Sequence, residues 1–257
     1  MMELTNSLIK LIRSLNETKH RKASGLFKAE GVKCVSDTIG YFPLEYLVCS
    51  QNALVLFSDN CDPEKLIKAS PKGMERISSF ASSPDVIAVY RIPEYPLNEA
   101  DFEKDLTIAL DGIQDPGNLG TIIRTADWFG IHDIVCSQDT VDVFNPKVVQ
   151  ATMGAISRVT VHYCELEPLL GRLRKHTPVF GTFLDGDNLY EAELPASGII
   201  VMGNEGKGVS KGIGCQATYR LKIPAYPPDS ITSESLNVAT ATAVIVAELR
   251  RRSLRNK

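Results

Sequence analysis

The chain has 257 residues, 44% of them hydrophobic and 23% charged, with a formal net charge of −3 and an isoelectric point near 5.9. That is enough apolar material to bury a real core, and no run of about 18 apolar residues is present to span a bilayer. The net acidity argues against a whole-surface nucleic-acid binder, since phosphate contacts depend on Lys and Arg. Met1 to Lys10 lacks the pattern of a secretory leader, so the expected compartment is the cytoplasm. The cysteines (34, 49, 61, 136, 164 and 215) are scattered, with no C-x-x-C pair and no clustered histidines, so neither a metal site nor a disulfide framework is expected.

In chain order, a helical pattern at Leu4–Leu15 opens a basic stretch holding Lys10, Arg13, Lys19, Arg21, Lys22, Lys28 and Lys33 against only Glu17 and Glu30. RNA contact and plain solvated surface both fit that stretch. A second helix is expected near Val32–Ile39. Apolar runs follow at Tyr46–Cys49, Ala53–Phe57 and Val86–Ile92, with helical patterns at Pro63–Ala69 and Lys72–Phe80, giving a small α/β unit. Residues 93–105, with Pro93, Pro96 and a concentration of acidic side chains, read as a linker. Beyond it, apolar runs at Leu106–Leu110, Ile134–Cys136, Val159–Tyr163, Val179–Leu184, Ile199–Met202 and Tyr219–Ile223 alternate with helical stretches. This predicts βαβ units and a largely parallel sheet. A long last helix spans Leu236–Leu254, and the basic cluster at its end suits a solvated helix C-terminus.

Ligands of such sheets gather where the chain leaves the carboxyl ends of strands. Three loops there are rich in glycine, proline and small polar residues: 111–130, 202–214 and 223–237. The second is no phosphate loop, because Gly208 follows Lys207 where magnesium would need Ser or Thr, and Lys211 stands where a dinucleotide fingerprint needs glycine. Its glycines suit either ordinary turns or close approach of a flat ring and ribose. In the first loop, Pro116-Gly117-Asn118 forms a turn into a helix starting near Leu119, with Asn118 as its N-cap. On that helix Arg124 has solvation as its ordinary explanation, while Trp128 and Phe129 are expected in the core. Ser233, Ser235 and Asn237 are candidate caps of the last helix.

Taken together and in this order, the loops resemble the three signature motifs of the SpoU/TrmH family of SPOUT methyltransferases. Asp115-Pro116, Asn118, Gly120, Arg124-Thr125-Ala126 and Phe129-Gly130 resemble motif one; Gly203, Glu205-Gly206 and Gly208 motif two; Ile223-Pro224 and Ser235-Leu236-Asn237-Val238 motif three. More faintly, Arg21, Gly25-Leu26-Phe27 and Glu30-Gly31 are similar to the family's N-terminal substrate domain. The resemblance implies an α/β chain: residues 1–92 a smaller RNA-binding domain, and 106–257 a SPOUT methyltransferase domain whose parallel sheet carries a C-terminal trefoil knot. It further implies S-adenosyl-L-methionine as cofactor, a homodimer completing the active site, and ribosomal RNA as the substrate methylated on a ribose 2′-hydroxyl.

The resemblance assigns Gly203 to close backbone approach and the backbone around Thr182, Phe183, Ile223 and Leu236 to bracketing adenine and ribose. Arg124 is the favoured participant in activating the hydroxyl, with Asn118, Glu205, Ser235 and Asn237 arranging its neighbourhood. A guanidinium keeps its proton to above about pH 12, so a phosphate-anchoring role stands beside a base role. Arg13, Arg21, Lys22 and Lys28 are the expected RNA contacts. The segment between Pro224 and Ser235 is longer than the family's usual bridge, and Tyr226 and Glu234 lie near the pocket by sequence proximity. The rival readings are a noncatalytic RNA-binding scaffold and a base-directed or tRNA-directed enzyme of the same superfamily.

Overall fold

The computed structural model describes residues 2–58, 61–227 and 233–255. By its contacts the chain divides into unit 1, Met1–Glu94 with Asp142–Ser157, and unit 2, Tyr95–Val141 with Arg158–Lys257. This partition differs from 1–92, 93–105 and 106–257 in two places. The expected linker carries a 3-10 helix at Glu99–Glu103, and its Phe102 is buried in the core of unit 2. A stretch from the second half, 142–157, is counted with unit 1.

Unit 1 runs β1 (Met2–Glu3), α1 (Asn6–Ser14), α2 (Thr18–Ser24), β2 (Leu26–Glu30), α3 (Val32–Thr38), β3 (Leu44–Cys49), α4 (Gln51–Phe57), β4 (Leu66–Lys68), α5 (Pro71–Ile77) and β5 (Val86–Arg91). Its sheet has the order β1-β4-β3-β5-β2, with β5 antiparallel to both its neighbours. Ile9 and Ile12 of α1 and Met74 and Ile77 of α5 close over Val48, Ile67 and Val89 of the sheet.

Two expectations fail here. Ala53–Phe57 is helical: Ser50 caps it by accepting from the Ala53 amide, and Ala53 and Phe57, four apart, are buried while Val55 and Leu56 are exposed. Pro63–Ala69 contains strand β4, paired in parallel with β1 and β3, because Leu66 and Ile67 fill the sheet rather than a helix face. Strand β2 escaped notice because Lys28 and Glu30 interrupt its apolar run. Both are buried, with Lys28 Nζ 3.0 Å from Glu30 Oε1.

Unit 2 contains β6 (Leu106–Leu110), α6 (Pro116–Trp128) and β7 (Asp133–Cys136). After α7 (Pro146–Thr152), which belongs to unit 1, it resumes with β8 (Thr160–Tyr163), α8 (Leu166–Leu173), β9 (Val179–Asn188), β10 (Gly198–Met202), α9 (Lys211–Gly214), β11 (Tyr219–Lys222) and α10 (Val238–Arg255). All six strands are parallel, in the order β11-β9-β10-β6-β7-β8. Burial on both faces explains the unbroken apolar runs of β6 and β10. The chain builds outward from β6 through β7 to β8, then returns to lay β9, β10 and β11 on the other side. The crevice outside the carboxyl ends of β6 and β10 is therefore the switch point of the sheet, where ligands of such folds bind.

Candidate active site

The loops leaving β6 and β10 meet at this switch point. The Asp111 amide donates to the Met202 carbonyl at 2.9 Å, and the buried Asp111 carboxylate accepts from the Ser210 amide at 2.6 Å. Asn204 staples the loop internally. Its Oδ1 accepts from the Gly206 and Lys207 amides at 3.0 and 3.1 Å, and its Nδ2 donates to the Gly112 carbonyl at 2.6 Å. Asn204 and Gly208 also exchange reciprocal backbone hydrogen bonds, so the chain doubles back onto Gly203. A Cβ at Gly203 would sit 2.1 Å from the Val209 nitrogen and 2.2 Å from the Gly208 carbonyl carbon. The first reason for glycine at 203 is thus the loop's own return.

The turned loop presents Glu205. Helix α6 begins at Pro116, not near Leu119, and its N-cap is Asp115, whose carboxylate accepts from the Asn118 amide at 2.8 Å. Asp at the cap and Pro at the first helical position were the sequence signal for that start. Asn118 is therefore relieved of capping. Its Nδ2 donates to Glu205 Oε1 at 2.9 Å, and its Oδ1 accepts from Asn237 Nδ2 at 2.9 Å. Asn237 in turn caps α10, its Oδ1 accepting from the Ala239 and Thr240 amides at 3.0 and 3.2 Å. The direction of the chain is fixed at both ends. Helix amides claim the oxygen of Asn237, and an ionised carboxylate only accepts, so donation runs Asn237 to Asn118 to Glu205. One residue from each of the three motif loops is joined, and Glu205 keeps acceptor capacity facing solvent.

The other expected residues are placed as follows. Arg124 is exposed on the outer stripe of α6 with Thr121 and Trp128 and makes no hydrogen bond or ion pair among the described residues. It is not part of the Asn118 network. Trp128, expected in the core, is 84% exposed; the stripe of α6 that it shares with Arg124 faces away from the sheet, while Ile122, Ile123 and Ala126 take the buried side. Ser235 is exposed, with its hydroxyl unpartnered among the described residues. The Thr182 hydroxyl donates to the Val201 carbonyl at 2.9 Å, tying β9 to β10, and Phe183 lies under the Arg220 guanidinium, 3.6 Å from ring centre to Cζ. Ile223 is half-buried and Leu236 is 49% exposed. Tyr226 and Glu234 are exposed, and residues 228–232 between them lie outside the described residues. Sequence reasoning missed Asp111 and Asn204, and the capping role of the motif residue Asp115; the work of all three is to hold backbone.

Two of the four expected RNA contacts are excluded by burial. Arg21 is fully buried: its Nε and Nη2 hold the Asp142 carboxylate at 3.0 and 2.5 Å, and Nη1 donates to the Leu15 carbonyl at 2.8 Å. Lys28 is equally buried, donating to the Ile77 carbonyl at 2.7 Å beside Glu30, and burial lowers its pKa. Arg13 and Lys22 are exposed.

The residues at the switch point fit an adenosyl cofactor. Exposed Leu236 and half-buried Ile223 offer apolar surface, and the amides of Gly203, Ile223 and Leu236 donate to no other described group, leaving donors for a ring and a ribose. Among the described residues no cluster of His, Cys, Asp and Glu could hold a metal ion, and no helix is long and apolar enough to cross a membrane.

Comparison with known proteins agrees with this geometry. The profile of the SpoU rRNA Methylase family matches residues 105–247, and that of the MRM3-like substrate binding domain matches residues 6–88. The chain is 29% identical to the 23S rRNA (guanosine(2553)-2′-O)-methyltransferase RlmP of Bacillus subtilis, over 95% of this chain and 96% of that one. Among solved structures, a TrmH-family protein from Porphyromonas gingivalis superposes with a TM-score of 0.86 at 40% identity, covering 96% of this chain and 98% of the other. An AdoMet-bound rRNA methyltransferase from Sinorhizobium meliloti superposes with a TM-score of 0.84 at 28% identity, covering 98% and 97%.

Proposed function

The chain belongs to the SpoU rRNA Methylase family, and from that membership we propose that it is an S-adenosylmethionine-dependent enzyme methylating a ribose 2′-hydroxyl of ribosomal RNA. The observation that carries the reading is the oriented chain from Asn237 through Asn118 to Glu205 at the switch point of a parallel sheet. The carboxylate it terminates in has spare lone pairs, suited to accept the hydrogen bond of an incoming ribose hydroxyl. Leu236, Ile223 and Gly203 hold the adenosyl group, which when bound supplies a methyl on a sulfonium, already a good leaving group. What remains for the protein is to align the acceptor oxygen and draw away its proton.

In this reading Glu205 orients the hydroxyl, Asn118 and Asn237 hold Glu205 at one angle, and Ser235 bonds the acceptor ribose. Arg124, a free guanidinium on an exposed stripe, anchors a substrate phosphate. A working homodimer is part of the proposal, supported by Trp128 beside Arg124: a tryptophan 84% exposed on a core helix is surface that a second copy would cover. So are a knotted path for the C-terminal chain, a cytoplasmic location, and unit 1 as the substrate-binding part, the last supported by the profile match over 6–88.

The test is transfer of labelled methyl to total bacterial RNA by the native protein, Asn118→Ala and Arg124→Ala. The native protein labels ribosomal RNA, and both variants lose at least about a hundredfold, the range a positioned hydrogen-bonding group contributes. Equal labelling by native and Arg124→Ala protein would remove Arg124 from the site, and no labelling by native protein would favour the scaffold reading.

A further inference from the structure

With Arg21 and Lys28 buried, the cations free to meet an RNA in unit 1 lie elsewhere. Helices α1 and α5 pack side by side and run in the same direction: Gly73, near the start of α5, faces Leu4, whereas Ser79, just past its end, bonds Asn16 at 2.7 Å. Along the seam between them Arg76 reaches Asn6 at 3.4 Å. Arg13 lies two turns from Asn6 on the same flank of α1, and Lys72 lies one turn from Arg76 on α5. Lys10 stands one turn short of Ser14 on the outer face of α1. All four cations are exposed and form no ion pair among the described residues. Lys33 and Arg91 of unit 1, by contrast, are answered by Asp37 and Glu45, while Lys19 and Lys22 of α2 are exposed and without an ion pair among the described residues but lie off the seam.

At its α5 end the seam opens into a cleft of about 800 Å³, reached by Lys72 and Arg76. The interior of the cleft is not simply basic: Glu3, Glu75 and Asp85 balance Lys68, Lys72 and Arg76. Asp85 also accepts from the Ser50 hydroxyl at 2.7 Å. Gln51 and Asn52, with their amide side chains, and Ser70 also line it. A balanced set of donors and acceptors suits the edges of an unpaired base more than a phosphate, while the seam outside it suits phosphates.

Resting on the proposed function above, we infer that unit 1 grips its RNA along the α1–α5 seam, with phosphates on Lys10, Arg13, Lys72 and Arg76 and an unstacked nucleotide in the adjoining cleft. Charge complementarity selects RNA as the occupant.

The experiment measures binding of in-vitro-transcribed bacterial 23S rRNA over a salt series for the full-length protein, for Lys72→Ala/Arg76→Ala, and for the control Lys33→Ala, with methyl transfer to the same RNA followed in parallel. Each lost phosphate contact lowers the slope of log affinity against log salt by about one. The double variant therefore shows a slope smaller by about two, at least tenfold weaker binding, a raised KM and a retained kcat. Lys33→Ala leaves all of these unchanged. A slope and KM for the double variant equal to native would overturn the seam while native methyl transfer leaves the proposed function standing. If native protein transfers no methyl to RNA but the double variant still loses salt-dependent affinity, the seam stands and the enzymatic reading falls. Weakened binding to the acidic polymer heparin with none to RNA would identify the seam as a site for another polyanion and overturn the inference.

Discussion

Replacing Lys28 with Met separates the buried-pair reading from a surface role. Met keeps the length of the stem, so little cavity forms, but it removes the donor to the Ile77 carbonyl and the cation beside Glu30. Glu30 retains the Ser78 hydroxyl at 2.9 Å and the Ser79 amide at 2.9 Å as donors, which offset part of the loss. Breaking a buried pair from one side costs about 3–5 kcal/mol; with those two donors remaining, a loss of about 3 kcal/mol is expected. For a chain of this size that is a fall in melting temperature of roughly 10 °C. Adding Glu30→Gln removes the stranded charge, so the double variant is more stable than Lys28→Met alone, the two positions being coupled. Thermal melting by circular dichroism gives the size of the effect, and hydrogen exchange at the amides of β2 and β5 locates it. Native-like melting of Lys28→Met together with weakened RNA binding would place Lys28 at the surface and refute the reasoning.

Gly203→Ala forces the loop off the Gly208–Val209 backbone; overpacking of this kind costs about 1–3 kcal/mol, and calorimetry of S-adenosylhomocysteine should show binding weakened tenfold or more with the far-ultraviolet spectrum unchanged. Hydrogen bonds from Arg251, and then Arg252, hold the Glu248 carboxyl at about 2, below its ordinary 4.5, despite burial that opposes ionisation. A depressed carboxyl stabilises the fold above its unfolded value and ceases to as pH falls through the folded one, so this contribution disappears between about pH 4.5 and 2, and Glu248→Gln flattens acid unfolding over that window. Trp128→Glu, at a side chain that a single copy leaves 84% exposed, should keep the native far-ultraviolet spectrum and shift sedimentation to that of a monomer; native sedimentation of the variant would take Trp128 out of any interface.

The parallel sheet was legible because its central strands β6 and β10 are buried on both faces, so that 106–110 and 199–202 are written as continuous apolar runs. Shorter or mixed segments were harder to read. Leu66 and Ile67 carry too little pattern to choose between helix and strand, and the apolar run at 53–57 hides a helix whose outer residues happen to be Val55 and Leu56. The motif positions 118, 205 and 237 were visible through their order along the chain, but their mutual hydrogen bonds depend on Asp115 taking over the cap and on Asn204 bending the loop. Those are backbone-directed roles that a side-chain inventory does not reveal. The basic stretch 10–33 misled for a related reason: charge counts along the sequence do not distinguish a solvated lysine from one paired inside a sheet, as Lys28 is with Glu30.

The central claim is tested most directly by mapping ribose methylation in ribosomal RNA incubated with the native protein and S-adenosylmethionine, reading each modified nucleotide as a gap in the alkaline-hydrolysis ladder. The account predicts one new gap, absent with Asn118→Ala. A methylated nucleotide that alkali still cleaves would assign the methyl to a base and contradict it.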